Sequence, residues 1–244
     1  MALIKSISGI RGTIGGAAGA GLTPIDIVRF TTAYGAWIAQ RSPVKKLVIG
    51  RDGRISGEMV RNIVVSTLQG LGFDVVDLGL STTPTVEIAV TAENAAGGII
   101  LTASHNPKEW NALKLLNERG EFISADDGAW ILDYAENGNP LFADVNKLGM
   151  LSYDESYMQK HIDALISHPL VDVEAIRAKG FKVVLDAINS TGATFVPALL
   201  NALGVEDITV LNGEVNGRFA HNPEPLPEHL RELCSAVEKQ NAHL

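Results

Sequence analysis

The 244-residue sequence predicts an α/β protein in two parts, and three observations carry that reading. Short β-branched runs alternate with helical stripes along the whole chain. Residues 46–79 and 182–213 share one order of strand, aspartate-bearing loop, helix, glycine, strand, glycine, with Asp52 and Asp186 just past the first strand of each. This is a βαβ unit occurring twice, the building block of parallel sheets. Between the copies, from Asn137 to Ser152, turn formers cluster and periodicity is lost, so the domains are expected at 1–150 and 151–244.

Taken in order, Leu3 to Ile7 alternates as a strand and runs into Ser8-Gly9-Ile10-Arg11-Gly12 and a glycine-rich segment through Gly21, expected to be a loop. Thr23, Pro24 and Asp26 open a helix as N-cap, first residue and capping-box acid, with Ile27, Phe30, Tyr34, Trp37 and Ile38 on its buried face. Lys46 to Gly50 is a strand ending in Arg51-Asp52-Gly53-Arg54. The stripe Val60, Ile63, Val64, Thr67, Leu68, Leu71 is a helix stopped at Gly72. Strands are expected over 73–78 and 99–103, a helix over 84–94 and an edge strand over 121–123. Ser124 and Asp127 cap a further helix. In the second part, the pattern predicts a helix over 154–167, strands over 181–185 and 208–211, and helices over 193–203 and up to Gln240.

Composition bounds the function. Hydrophobic residues make up 46% and charged residues 20%, as in a globular protein. The formal charge of -8, with no basic cluster, argues against nucleic acid, so a bound anion needs a local site. One cysteine, Cys234, fits a reducing compartment, and no run reaches a membrane span or a signal peptide, so the expectation is cytoplasmic with no membrane partner.

The chemistry concentrates in Gly97 to Lys114. An apolar run enters Ala103-Ser104-His105-Asn106-Pro107, where Asn-Pro marks a turn, so the expectation is a buried strand followed by its exit loop. In an open α/β sheet, ligands bind outside the carboxyl ends of the strands. A lone loop serine ordinarily caps a turn. No G-x-S-x-G elbow is present, which argues against an acyl hydrolase. Cations on Arg11, Arg51, Arg54 and Lys114, together with His105, suit a phosphoryl group better than an acyl group.

Thr102-Ala103-Ser104-His105-Asn106-Pro107 resembles the active-site serine signature of the α-D-phosphohexomutase superfamily. Ser8-Gly9-Ile10-Arg11-Gly12, Gly50-Arg51-Asp52-Gly53-Arg54 and His221-Asn222-Pro223-Glu224-Pro225 resemble further loops of it. The resemblance implies two tandem three-layer α/β/α domains with mixed, mostly parallel sheets. It implies an isomerase that moves phosphate between C1 and C6 of a hexose phosphate through a 1,6-bisphosphate. Ser104 would be the phosphoserine, Arg11 and His105 would line its phosphate, Lys114 would be the general base, and Asn106, Arg51 and Arg54 would bind phosphate or substrate. Asn111-Ala112 stands where the family has Asn-Gly, so the turn before Lys114 is expected to differ.

Phosphoryl transfer calls for cations and a hard divalent ion, here Mg²⁺, which takes oxygen ligands. The Ser104 phosphate would supply one ligand and an aspartate-rich loop the others, but no Asp-x-Asp-x-Asp occurs. The expectation is the first domain and most of the second of a mutase, incomplete as a catalyst without C-terminal domains of the same polypeptide. The competing expectation is a non-catalytic sugar-phosphate-binding or interaction module. Structural roles are expected for His161 (packing), Cys234 (a buried hydrophobe), Asp186 (holding backbone amides) and Asp126-Asp127 (helix N-terminal charge).

Overall fold

The computed structural model describes residues 1–6 and 9–244. The expectations for Ile7 and Ser8 lie outside the described residues. In chain order, the elements of the first part are β1 (Leu3–Ser6), β2 (Gly9–Thr13), α1 (Pro24–Arg41), β3 (Lys46–Arg51), α2 (Gly57–Gly70), β4 (Asp74–Leu80), α3 (Thr83–Ala92), β5 (Gly98–Leu101), β6 (Trp110–Leu116), α4 (Ala125–Asn137) and β7 (Leu151–Tyr153). There follow α5 (Tyr157–Ile166), α6 (Val173–Lys179), β8 (Lys182–Asp186), α7 (Gly192–Ala202), β9 (Asp207–Leu211) and α8 (Arg231–Gln240). The chain forms two compact units. The first holds Met1–Asp52, Ser56–Ser104 and Glu109–Glu155; the second holds Ser156–Leu244 and the short segments Gly53–Ile55 and His105–Lys108.

The first unit is a seven-stranded sheet in the order β1-β2-β6-β5-β3-β4-β7. Strands β5, β3, β4 and β7 run parallel, β6 and β1 run against them, and β2 rejoins their direction. The sheet is mixed and mostly parallel. Its alternation sorts side chains between two faces. Ile10, Leu47, Ile49, Ile99, Leu101, Leu113 and Leu115 join Phe30, Tyr34, Val60, Val64 and Leu68 of α1 and α2 in one core. The opposite face packs on α3, and the fit there is close: a Cβ on Gly50 would lie 2.5 Å from Val86 Cγ2, and one on Gly98 2.7 Å from Val90 Cγ2.

Both expected capping boxes form. Thr23 and Asp26 satisfy each other's backbone amides at the start of α1, and Ser124 and Asp127 do so at α4. Asp127 also accepts from Trp37 Nε1 at 3.1 Å and pairs with Arg41 at 2.9 Å, which ties α4 to α1. Gly72 closes α2 with a φ of 82°.

Three expectations fail here. Arg11 lies within β2 rather than a loop, because Gly9–Thr13 is enclosed between β1 and β6. Asn111 and Ala112 form no turn; they belong to β6, whose residues are buried on both faces and therefore show no polar alternation. The expected edge strand at Glu121–Ile123 reduces to one bridge between Leu116 and Phe122.

In the second unit, β8 and β9 pair in parallel around the α7 crossover. His161 on α5 is buried and packs on Phe195 of α7 with ring centroids 5.0 Å apart, and burial lowers its pKa. Cys234 is exposed, contrary to expectation, because α8 presents that position to solvent. Asp186 does more than hold amides. It accepts from Ile188 N at 2.9 Å and Asn212 Nδ2 at 3.1 Å, and it pairs with His221 Nε2 at 2.7 Å. Among the described residues, no helix is long and apolar enough to cross a membrane.

Candidate active site

Strand register brings the first unit's polar groups to one face. Arg11 stands opposite Ala112 across β2–β6, and Lys114, two residues on, stands opposite Ile100 across β6–β5. Ile100 in turn neighbours Gly50 on β3. A period of two puts Arg11, Ala112, Lys114, Ile100 and Gly50 on the α3 side. Asp52 and Thr102 each follow the last paired residue of their strand, and Thr102 Oγ1 donates to Asp52 Oδ2 at 2.6 Å.

Three properties of this face matter chemically. Arg11 Nε is buried and, among the described residues, has no hydrogen-bond partner. A buried guanidinium nitrogen without an acceptor is satisfied by an anion or water. Burial lowers the pKa of Lys114, opposed by the carboxylates of Glu87 and Asp52 and reinforced by the charge of Arg11. A lysine held below its ordinary value yields a neutral amine more readily than a free one. Glu87 on α3 is shifted up by burial, with Lys114 pulling it back.

Ser104 is exposed, three residues past the end of β5, and its φ is 57°. Left-handed backbone is uncommon for residues other than glycine and concentrates at functional sites. Its amide donates to Thr102 Oγ1 at 3.0 Å.

The neighbouring loop segments belong to the second unit. Arg54 is 2% exposed, and its guanidinium donates to the carbonyls of Asn106 and Pro107, both at 2.8 Å. A buried arginine directed at two main-chain oxygens braces the turn that Asn106-Pro107 makes. His105 is exposed and Asn106 half-buried. In the first unit, Arg51 is half-buried and donates to the Asp52 carbonyl at 3.2 Å.

Register thus joins Arg11 and Lys114, while Arg54 serves the loop backbone. In the sequence Asp52 stands out as the loop aspartate of the first βαβ unit and Thr102 as the first residue of the serine motif, neither with a site role of its own, and Glu87 does not stand out. Asp52 and Thr102 carried a signal in being the first polar residues after two neighbouring strands. Glu87 carried none.

The description phosphoglucomutase/phosphomannomutase, alpha/beta/alpha domain I, matches residues 3–141, and that of domain II matches residues 159–244. The chain belongs to this family. A phosphoglucomutase/phosphomannomutase of Thermococcus kodakarensis is 35% identical over 95% of this chain and 51% of its own length. A phosphoglucosamine/phosphogalactosamine mutase of Sulfurisphaera tokodaii is 32% identical over 88% of this chain and 47% of its own length. The chain spans about half the length of these curated relatives. Among solved structures, a putative phosphomannomutase of Thermus thermophilus superposes with a TM-score of 0.82 at 26% identity, covering 96% of this chain and 52% of that one.

Proposed function

We propose that this chain carries the phosphoryl group in a hexose-phosphate mutase, with Ser104 Oγ as the carrier. The observation that most supports this is the left-handed, exposed Ser104 at the carboxyl end of β5, on a sheet whose α3 side bears Arg11 and Lys114. In the first half-reaction a sugar hydroxyl oxygen attacks the phosphoserine phosphorus. The new phosphorus–oxygen bond forms as the bond to Ser104 Oγ breaks. Neutral Lys114 takes the hydroxyl proton, and that proton is returned to Ser104 Oγ. The hexose 1,6-bisphosphate then presents its other phosphate, and the same steps in reverse rebuild phosphoserine. Arg11, whose buried Nε lacks a protein acceptor among the described residues, balances the charge on the moving group. Within the second unit, Arg54 keeps the turn at Asn106 and Pro107 in place.

Mg²⁺ would supply Lewis-acid neutralisation of the phosphoryl oxygens. Among the described residues no group of three or more His, Cys, Asp or Glu side chains could hold a metal ion, so the donor set here does not fit one and no step is routed through it. We place the remaining ligands and the groups that read the sugar in the half of the relatives' length that this chain does not match. By itself the chain is then expected not to turn over. The test is conversion of glucose 1-phosphate to glucose 6-phosphate, primed with glucose 1,6-bisphosphate, by a full polypeptide in which this chain is joined to the half of its relatives' length that it does not match. Ser104→Ala should abolish it, and full activity in that variant would refute the assignment.

A further inference from the structure

The left-handed Ser104 needs something to hold it, and the hydrogen bonds around it form a directed chain. The Ser104 amide donates to Thr102 Oγ1 at 3.0 Å, and the same oxygen donates its single proton to Asp52 Oδ2 at 2.6 Å. With its one proton given to Asp52, the threonine hydroxyl is fixed in direction and keeps its lone pairs for the serine amide. Hydrogen bonds arranged head to tail in this way polarise one another.

The placement comes from the sheet. Arg51 and Leu101 are the last paired residues of β3 and β5, and the Asp52 amide still donates to the Leu101 carbonyl at 3.1 Å. This keeps Asp52 and Thr102 side by side as the two strands end. Thr102 is 9% exposed, so its hydroxyl is largely withdrawn from solvent. From these contacts we infer that Asp52 is a positioning residue which, acting through Thr102, sets the backbone of Ser104 in the conformation that carries and transfers the phosphoryl group. The inference rests on the phosphoserine assignment for its function, but its geometric part is independent of it.

Two measurements separate these parts. The first is amide hydrogen exchange at Ser104, read by NMR on the chain as it stands. Thr102→Val and Asp52→Asn should each speed exchange at Ser104 by at least about tenfold while the amides within β5 keep their protection. Thr102→Ser, which keeps the hydroxyl, should restore protection. Unchanged exchange at Ser104 in Thr102→Val or Asp52→Asn would overturn the inference.

The second is the rate at which glucose 1,6-bisphosphate phosphorylates Ser104 in the full polypeptide. Misplacing a reacting oxygen by a fraction of an ångström should slow it by about tenfold or more in Thr102→Val and in Asp52→Asn, with the double variant no slower than the worse single one and Thr102→Ser close to wild type. Wild-type rates in both single variants would overturn the inference. If the wild-type protein takes no phosphate while the exchange pattern holds, the positioning chain stands and the phosphoserine assignment fails.

Discussion

Replacing Ser104 by glycine should stabilise the first unit even as it removes the proposed carrier. With φ at 57°, Ser104 holds its Cβ in the left-handed region, at a cost of about 1–2 kcal/mol for an L-residue. Glycine relieves that cost but adds roughly 0.5–1 kcal/mol of backbone entropy to the unfolded chain. The side chain is exposed, so truncating it loses little packing. The balance is a gain of about 0.5–1 kcal/mol, or a rise of roughly 1–3 °C in the melting temperature for a unit of this size. Ser104→Ala removes the same hydroxyl and keeps the Cβ, so it controls for loss of the oxygen and should show no such rise. Calorimetry and urea unfolding of the three proteins provide the assay. A glycine variant no more stable than the alanine variant would refute the reasoning that this backbone is held under strain.

The brace on the following turn can be tested in the same way. Arg54→Met removes two charge-assisted hydrogen bonds to the Asn106 and Pro107 carbonyls and should cost about 2–4 kcal/mol, with faster tryptic cleavage at Lys108; unchanged cleavage would argue against the brace. Tyr34, fully buried, donates its hydroxyl proton to the Leu116 carbonyl at 2.7 Å, with the Gly98 carbonyl 3.2 Å from the same oxygen. Tyr34→Phe should therefore lose about 1–3 kcal/mol, read by urea unfolding. In the second unit, burial opposes charging of His221, but its bond to Asp186 outweighs this and raises the His221 pKa, while Asp186 is held below its ordinary value by His221, Ile188 N and Asn212 against burial. The His221 contribution is thus fully present below its unfolded pKa of about 6.5 and is lost as pH rises through the raised folded value. The Asp186 contribution is lost only as pH falls through its depressed folded value. Melting followed from about pH 6 to about pH 9 should show a decline on the alkaline side that His221→Asn flattens; an identical pH profile in the variant would contradict the pairing.

The features most legible in the sequence were those with local causes. The capping boxes at Thr23 and Ser124 need only residues three apart, and the α2 stripe needs only a period. The serine loop was legible as a motif, but its backbone was not. Nothing about Ser104 announces a positive φ, which Thr102 and Asp52 help to impose from 2 and 52 positions away. Strands β2 and β6 were hidden for opposite reasons. Gly9–Thr13 is too glycine-rich to read as a strand alone, and Trp110–Leu116 is too uniformly buried to alternate. Both form because each completes the other's ladder, and that pairing decides that Arg11 and Lys114 share a face. The burial of Arg54 was not legible either, since charged side chains are rarely fully buried and this one is, with its guanidinium on two carbonyls.

Every role proposed for this chain depends on phosphate being carried by Ser104. That role is tested most directly by peptide mass spectrometry of the full polypeptide, as purified and after incubation with glucose 1,6-bisphosphate and Mg²⁺, with the Thermococcus kodakarensis relative treated in parallel. The predicted result is phosphate on Ser104 that increases with the bisphosphate and is passed on when glucose 1-phosphate is added. An unmodified Ser104 throughout, while the relative takes up phosphate under the same conditions, would contradict that role.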